Sequence, residues 1–417
     1  MSEGASSGHQ RAEDLLRELT PQVLGALLRR HGDFGRCEDA LQEALVAAHT
    51  AWPVDGVPDS PRGWLTTVAT RRLIDAIRAD AARQRREVAV SQQVRLFAPA
   101  ADEEPRSGDD SLALLFLCCH PSLTPASQLA LTLRAVGGLT TAQIAVALLL
   151  PETTVAQRIT RAKAAVRAAG ARFTLPRGSE LLTRLDVVHQ VLYLMFTEGH
   201  SAAAGPGLRR QELCTEALRL ARLLHQRLPS SSETTGLLAL LLLVDSRRAT
   251  RETSDGVLVP LSEQDRTRWD RQAIAEGAAL TTSALRSGPL GPYQLQAAIA
   301  ALHAQAPRSE DTDWEEVVGL YDVLLRIAPN PVVALNRAVA VGMRDGPAAG
   351  LALLEDLATG ALAGHHRLDA VRAHLLERAG DASAAATAYR AAATRATNLA
   401  EQHYLFLRAQ EVEAPFR

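Results

Sequence analysis

Two short helical patterns that meet at a proline, between Leu139 and Lys163, constrain the fold of this chain more than any other feature. Thr140 and Gln143 stand three residues apart, which is the spacing of a capping box at the start of a helix. Pro151 occupies a position where a second helix can begin without the loss of a hydrogen bond. The stretch therefore predicts two helices joined by a tight turn, a helix-turn-helix.

The second of these helices has one apolar and one polar face. An apolar stripe recurs at steps of four, three and four residues, and its members are Val155, Ile159, Ala162 and Val166. The residues that fall outside the stripe are Thr154, Gln157, Arg158, Arg161 and Lys163. Gln and Arg suit the edges of bases in a major groove, whereas Lys and Thr suit phosphates. The polar face therefore predicts DNA as a partner, and a helix pair with a merely solvated basic face is the alternative.

The composition favours helices and excludes a general polycation. The chain has 417 residues, a length that suggests about two to four domains. Hydrophobic residues make up 47% of the chain and aromatic residues only 4%, a mixture that favours helices over sheets. The formal net charge is -2, so any surface for nucleic acid must be local. We therefore predict an all-α protein whose basic faces are confined to part of the chain.

Two further helices are predicted upstream, and they differ in charge. Residues 33–49 form an amphipathic helix whose polar face carries Asp39, Gln42 and Glu43. Residues 61–86 form a helix that holds seven arginines against two aspartates. The simplest assignment is a protein partner for the first helix and nucleic acid for the second.

Taken together, these stretches resemble bacterial RNA polymerase sigma factors of the extracytoplasmic-function type, over about residues 11–172. The stretch EDALQEALVAA is similar to the family's core-polymerase-binding helix. The stretch WLTTVATRRLIDAIR resembles the helix that captures and melts the −10 promoter element, and residues 139–167 resemble the −35-binding helix-turn-helix. The −10-like helix and the −35-like helix-turn-helix follow each other in the order that the family has. Two matched modules in that order indicate the family more specifically than either module alone.

The resemblance implies a role for each polar face. Asp39, Gln42 and Glu43 would bind core RNA polymerase. The residues that would hold the −10 element are Arg71, Arg72, Asp75 and Arg78. The outward-facing set Thr154, Gln157, Arg158, Arg161 and Lys163 would bind the −35 element. Leu149 stands where the family often has glycine, so a turn of another geometry is predicted there.

The rest of the sequence predicts the domain organisation. A core-binding and −10-binding domain over residues 11–86 is followed by a linker, 87–110, with two prolines and an acidic cluster. The helix-turn-helix domain covers residues 111–172, and a helical extension covers 180–417. Within the extension, the similar stretches YDVLLRIAPN and YRAAATRATN begin at Tyr321 and Tyr389. Their separation is twice the roughly 34-residue period of tetratricopeptide repeats. A tetratricopeptide-like arrangement is predicted at about 312–400, with a generic helical bundle as the alternative.

The extension also resembles that of one branch of the sigma family. The resemblance implies a tail that modulates activity in cis and contacts either its own sigma domains or another protein. Two alternatives remain open. One is a helix-turn-helix regulator whose tail senses a ligand or a protein, and the other is a tetratricopeptide scaffold. The acidic face at Asp39–Glu43 and the dense arginine of both modules argue against them.

Other residue clusters predict no enzyme, metal site or cofactor. Cys118, Cys119 and His120 are adjacent, but no second ligand cluster stands at zinc spacing, so buried cysteines are favoured. Glu198 and His200 have no accompanying nucleophile or glycine-rich phosphate loop. The N-terminus lacks a signal pattern, and no apolar run approaches the ~20 residues that span a bilayer. We therefore expect a cytoplasmic protein without a membrane partner.

Overall fold

The computed structural model is helical throughout the residues that it describes, which are 2–87, 107–148, 150–200, 208–253, 257–360, 362–396 and 399–414. These ranges contain eighteen α-helices, three single-turn 3-10 helices and no β-strand. The predicted all-α class is therefore confirmed. None of the described helices combines the length and the apolar content that crossing a bilayer requires. The chain divides into two compact units, Met1–Met195 and Phe196–Arg417.

The first unit begins with three helices that pack on one another. They are α1 (Ser2–His31), α2 (Phe34–Asp55) and α3 (Pro61–Glu87). Asp33 caps α2, because its carboxylate accepts a hydrogen bond from the backbone N–H of Arg36 at 3.1 Å. Leu41, Ala44 and Ala48 are buried on one face of α2. The amphipathic helix predicted over residues 33–49 is therefore present, with its apolar face inward.

Five more helices follow in the chain. They are α4 (Ser107–Cys118), α5 (Pro125–Ala135), α6 (Thr141–Ala147), α7 (Glu152–Ala168) and α8 (Ser179–His200). Every residue from 110 to 119 is buried, so α4 is surrounded by protein on all sides. This helix begins inside the segment predicted as a linker, and residues 88–106 of that segment lie outside the described residues.

Most of α8 belongs to the first unit. Arg184 is buried in α8, and its guanidinium donates a hydrogen bond to the carbonyl oxygen of Phe116 at 2.6 Å. The carboxylate of Glu180 accepts a second hydrogen bond from Arg184 at 3.0 Å. The division between the units consequently falls after Met195, whereas the sequence predicted a boundary between residues 172 and 180.

The second unit is organised around α10. Its described helices are α9 (Leu208–Arg227), α10 (Ser232–Asp245), α11 (Arg271–Arg286), α12 (Pro292–Gln305), α13 (Trp314–Ile327), α14 (Pro331–Asp345), α15 (Pro347–Thr359), α16 (His366–Arg378), α17 (Ala382–Arg395) and α18 (Leu399–Glu413). Every residue from 234 to 243 is buried, and α10 packs against α9, α11 and α12. A helix that is apolar all round is thus enclosed by its neighbours.

The last six helices begin at a regular interval. Helices α13, α15 and α17 begin at residues 314, 347 and 382, and α14, α16 and α18 begin at 331, 366 and 399. The steps are 33 or 35 residues, close to the roughly 34 residues of a tetratricopeptide helix pair. Tyr321 and Tyr389 each lie seven residues after the start of their helices, so they occupy equivalent positions. The spacing supports the repeat, which stays a prediction.

Candidate nucleic-acid interface

The helix-turn-helix forms as its sequence predicts. The backbone N–H of Thr140 donates to the Gln143 side chain at 2.9 Å, and the N–H of Gln143 donates to the Thr140 hydroxyl at 3.2 Å. This reciprocal pair is the capping box that starts α6. Helix α7 begins at Glu152, directly after Pro151. The turn residue Leu149, for which another geometry was predicted, lies outside the described residues.

The apolar stripe of α7 faces inward along its whole length. Its buried residues are Val155, Ile159, Ala162 and Val166, the set that the sequence spacing selected. The opposite face is the candidate base-reading surface. Gln157 and Arg161 are exposed there, while Thr154 and Arg158 are half-buried. Apart from Lys163, the predicted −35 residues therefore lie open to a ligand.

A glycine lies where the turn between α5 and α6 meets α1. Gly138 has φ +66, a conformation that favours glycine, and a Cβ at this position would come within 3.1 Å of the Arg17 Cα. The backbone of α1 thus lies directly against the turn. The helix-turn-helix is packed onto the N-terminal helices rather than being held only by a linker.

Lys163 differs from the other predicted −35 residues. This residue is the only lysine of the chain, and its side chain is 17% exposed. Its ammonium pairs with Glu38, and it donates a hydrogen bond to the Asp39 carboxylate at 2.7 Å. The structure thus brings together Lys163 and Asp39, which the resemblance assigned to different partners.

Glu38 is the centre of this contact. Its side chain is 1% exposed, and Arg134 of α5 donates to its carboxylate at 2.9 Å. Arg134 also donates to the Leu139 carbonyl at 3.2 Å. A buried carboxylate is tolerated when cations and hydrogen bonds surround it. Lys163 and Arg134 supply both, so α2, α5 and α7 meet at one charge.

A second ion pair extends the contact between α2 and α7. Arg167 donates to the Asp33 carboxylate at 2.9 Å. Burial acts to raise the pKa of Asp33, but the hydrogen bonds from the Arg36 N–H and the Arg167 guanidinium outweigh burial and leave the pKa below 3.8. The cap of α2 is therefore ionised and paired with the helix-turn-helix at neutral pH.

Sequence reasoning missed Glu38, although a signal was present. Glu38 stands between Cys37 and Asp39, and it lies on the buried side of α2 with Leu41 and Ala44. A carboxylate on the apolar face of an amphipathic helix needs a cationic partner from another element. That mismatch could have indicated Glu38 as a contact residue, but it could not have named Arg134 or Lys163.

Three of the predicted −10 residues on α3 line one pocket, and the fourth, Arg72, lies on another side of the helix. Arg71, Asp75 and Arg78 are exposed and line one pocket of about 520 Å³. The pocket is completed by Arg30, Thr66, Thr67, Thr70 and Ile74. Arg72 instead points towards α2, where its Nε lies 3.6 Å from the Glu43 carboxylate. The cationic and hydroxyl lining suits a sugar-phosphate backbone or an unstacked base.

Gln42 and Glu43 line a separate pocket of about 600 Å³ with Val46, Ala47, Arg72, Arg134, Thr140, Thr141, Ala142 and Glu152. Glu43 and Asp39 are exposed and Gln42 is half-buried. The acidic face that the sequence assigned to a protein partner is therefore accessible in part, beside the start of the helix-turn-helix.

Trp64 and the adjacent cysteines Cys118 and Cys119 pack within the first unit. Trp64 packs edge-on against the buried Trp52, with ring centroids 5.8 Å apart. Cys118 and Cys119 are fully buried free thiols. Burial raises the pKa of the Cys119 thiol to about 12, so the thiol is protonated at neutral pH.

One cluster in the second unit brings together potential metal ligands. Donor atoms of His200, Cys214 and Asp245 lie within 4.8 Å of one another. However, Arg248 forms a two-pronged ion pair with Asp245, with contacts of 2.9 and 2.5 Å. Burial lowers the pKa of His200 to about 2, and Arg251 and two further arginines add to the effect. This surrounding positive charge opposes a bound cation.

Comparisons with known proteins match each part of the chain. Residues 15–83 match the family model for sigma-70 region 2, and residues 113–166 match the model for sigma-70 region 4. The chain is an ECF-like sigma factor. Residues 184–285 match a family of unknown function, DUF6596. The pocket lined by Arg71, Asp75 and Arg78 lies inside the region 2 match, most of the helix-turn-helix lies inside the region 4 match, and the second unit overlaps the DUF6596 match.

Two relatives illustrate these matches. Uncharacterized protein R00370 of Rhizobium meliloti (strain 1021) is 44% identical over 403 residues, which cover 94% of either chain. ECF RNA polymerase sigma factor SigK of Mycobacterium ulcerans (strain Agy99) is 29% identical over 140 residues, 33% of this chain and 74% of that protein. The sigma-70 regions imply interaction with core RNA polymerase and with promoter DNA.

Proposed function

We propose that this sigma factor binds core RNA polymerase through Asp39, Gln42 and Glu43 and directs initiation at promoters read at two points. The observation that carries the proposal is the position of the exposed basic groups. The Arg71–Arg78 pocket lies on the segment that matches region 2, and the Gln157–Arg161 face lies on the segment that matches region 4. Arginine and hydroxyl groups at both points suit phosphates and base edges.

The ion pairs of the first unit bear on how these surfaces are used. Asp39 pairs with Lys163, and Glu43 lies near Arg72. Each pair joins a residue proposed for polymerase to one proposed for DNA. Binding of both partners would exchange these internal pairs for contacts with polymerase and phosphate. The packed arrangement is therefore proposed to be that of the free factor, and α7 separates from α2 on promoter binding.

In vitro transcription with purified core polymerase tests the central proposal. Addition of the protein is expected to produce promoter-specific transcripts from a library of genomic fragments. The triple variant Asp39→Ala, Gln42→Ala, Glu43→Ala should lose both transcription and core binding. Arg177→Ala is the matched control, because Arg177 is exposed in the same unit and outside every proposed surface. DNA binding without any affinity for core would instead favour the helix-turn-helix regulator.

The −35 surface has its own test. Arg158→Ala and Arg161→Ala should each weaken binding of the upstream element by about 1–3 kcal/mol if the side chain reads a base. Footprints of both arginine variants that equal the unmodified protein's would reject the base-reading role.

We further propose that the second unit modulates the sigma activity in cis and that the protein acts without enzymatic chemistry of its own. Support comes from the DUF6596 match beside the sigma regions within one chain. Removal of residues 196–417 keeps the whole first unit, including the contact between Arg184 and Phe116. The shortened protein should differ from the full chain in core affinity or transcript yield. Equal values for both proteins would argue for an independent role of the second unit.

A further inference from the structure

The second unit contains a cavity that no part of the proposed function uses. It lies between α10, α12, α13 and α14 and has a volume of about 280 Å³, near the lower end of about 300 Å³ for small-molecule sites. Nine of its fifteen lining residues are aliphatic, and Trp269 and Tyr321 add aromatic surface. Four polar residues complete the lining: Arg247, Gln296, His303 and Asn336. Asn336 is exposed, so the cavity opens to solvent beside α14.

Four arginines surround this region, and three of them have partners. Arg248 pairs with Asp245, and Arg251 donates to the His200 carbonyl oxygen. Arg266 donates to the Ala306 carbonyl oxygen at 2.8 Å and lies over the Trp269 ring at 4.7 Å. Within the described part of the chain, the Arg247 guanidinium has neither a hydrogen bond nor an ion pair.

The environment of Arg247 lacks a compensating negative charge. Burial, together with the nearby cations Arg251 and Arg266, lowers the pKa of the Arg247 guanidinium to about 10. Burial likewise lowers the pKa of His303 to about 4, with contributions from Arg266 and Arg247. His303 therefore stays neutral at pH 7 and supplies no second positive charge. Arg247 is half-buried, so its unpaired charge carries part of the cost of desolvation, and a bound anion would offset that cost.

We propose that this cavity binds a small amphipathic carboxylate, whose carboxylate group pairs with Arg247 and whose apolar body fills the aliphatic wall. The planar fork of a guanidinium matches a carboxylate with two parallel hydrogen bonds. A single unpaired arginine balances a monoanion, whereas a phosphate dianion would require a second available cation. Arg251 and Arg266 are not among the residues that line the cavity, and their guanidiniums donate to carbonyl oxygens.

The site goes beyond the proposed sigma function, and it is tested without transcription. Calorimetry on the full chain in about 0.15 M salt would use phenylacetate and hexanoate as probes. Their neutral amides, phenylacetamide and hexanamide, match the apolar bodies without the charge. At least one carboxylate should bind at least about tenfold more tightly than its amide. Equal binding of both carboxylates and their amides, or no binding of any probe, would overturn the proposal.

Variants of Arg247 complete the test. Arg247→Met keeps the volume and removes the charge, so carboxylate binding should weaken at least about tenfold. Arg247→Lys keeps the charge without the fork and should bind less tightly than the unmodified chain. The control is Arg222→Met, which removes a surface arginine paired with Glu276 at 2.8 Å and should leave binding unchanged. Retained affinity in a folded Arg247→Met protein would refute the site, and tighter, Arg247-dependent binding of phenyl phosphate would refute the carboxylate class.

Discussion

Glu38 in the first unit and Arg247 in the second have opposite electrostatic surroundings. In the first unit the Glu38 carboxylate meets two cations, Arg134 and Lys163. In the second unit the Arg247 guanidinium lines a cavity, and the charges that act on its pKa are those of two further cations, Arg251 and Arg266. A desolvated charge with internal partners holds elements of the fold together, whereas one without a partner marks a place for a ligand.

A charge that holds the fold together and a charge that binds a ligand should differ in the sign of the stability change that follows their removal. Removal of a paired buried charge strands its partners and destabilises the fold. Removal of an unpaired one relieves a desolvation cost and should stabilise it.

Glu38→Gln should give the largest loss. The substitution leaves Arg134 and Lys163 without their shared carboxylate, so the free energy of opening of α2 and α7 should fall by about 3–5 kcal/mol. Hydrogen exchange on peptides from these two helices measures the loss. Asp39→Asn is the control on the same helix, because Asp39 is 69% exposed; it should cost less than about 1 kcal/mol. Equal losses in both variants would contradict a central role for Glu38.

Mild acid should destabilise both units. Burial lowers the pKa of His189 and of His303 to about 4. As pH falls, each histidine is therefore protonated in the unfolded state at a higher pH than in the folded state. The contribution of each histidine is complete above pH 6.5 and is lost as pH falls from 6.5 to about 4. Each should contribute about 2–3 kcal/mol to the free energy of unfolding. The measurement is the free energy of unfolding as a function of pH. Its slope between pH 6.5 and 4 should be smaller in His189→Asn and in His303→Asn than in the unmodified protein. Unchanged slopes would contradict burial of these histidines as the cause.

Arg247→Met and Arg184→Met should change stability in opposite directions. Arg184 is buried and donates to the Phe116 carbonyl, so its loss leaves an unsatisfied acceptor and should cost about 1–3 kcal/mol in the first unit. Arg247 leaves no partner stranded, so its replacement should raise the stability of the second unit by about 1–2 kcal/mol. Hydrogen exchange in α4 and in α10 reports the two units separately. A clear destabilisation by Arg247→Met would indicate a structural role.

The smallest effect concerns the histidine beside the cavity. Arg247→Met removes one of the cations that hold down the pKa of His303, so that pKa should rise by less than about one unit. Burial alone lowers the pKa of His189, which should not change. Titration of the histidine ring protons by NMR distinguishes the two residues. Parallel shifts at both histidines would mean that the substitution acts through a general loosening of the fold.

Much of the first unit could be predicted from local pattern. The stripe from Val155 to Val166 and the capping box at Thr140 depend on residues three and four apart, and such spacings report directly on one helix face. The amphipathic helix α2 followed from the same periodicity. The start of α4 and the division inside α8 were not predicted in this way, because they depend on contacts such as Arg184 with Phe116 that lie far apart in sequence.

The candidate sites show the same limit. The exposed set Arg71, Asp75 and Arg78 could be chosen from the sequence because charge on one helix face is a local property. The pairing of Lys163 with Glu38 could not, since the two residues are separated by more than a hundred positions. Arg247 stands in a run of arginines that look alike in the sequence, and only its neighbours distinguish it from Arg248 and Arg251.

The sequence by itself determined the all-helical class, the order of the two sigma modules and the polar faces of their helices. These properties arise from helical periodicity and from residue chemistry within a few turns. The tertiary structure alone decided which charges are paired, because pairing depends on the approach of distant elements in a low-dielectric interior. That approach encloses Glu38 between two cations and leaves Arg247 beside an apolar cavity without an anion.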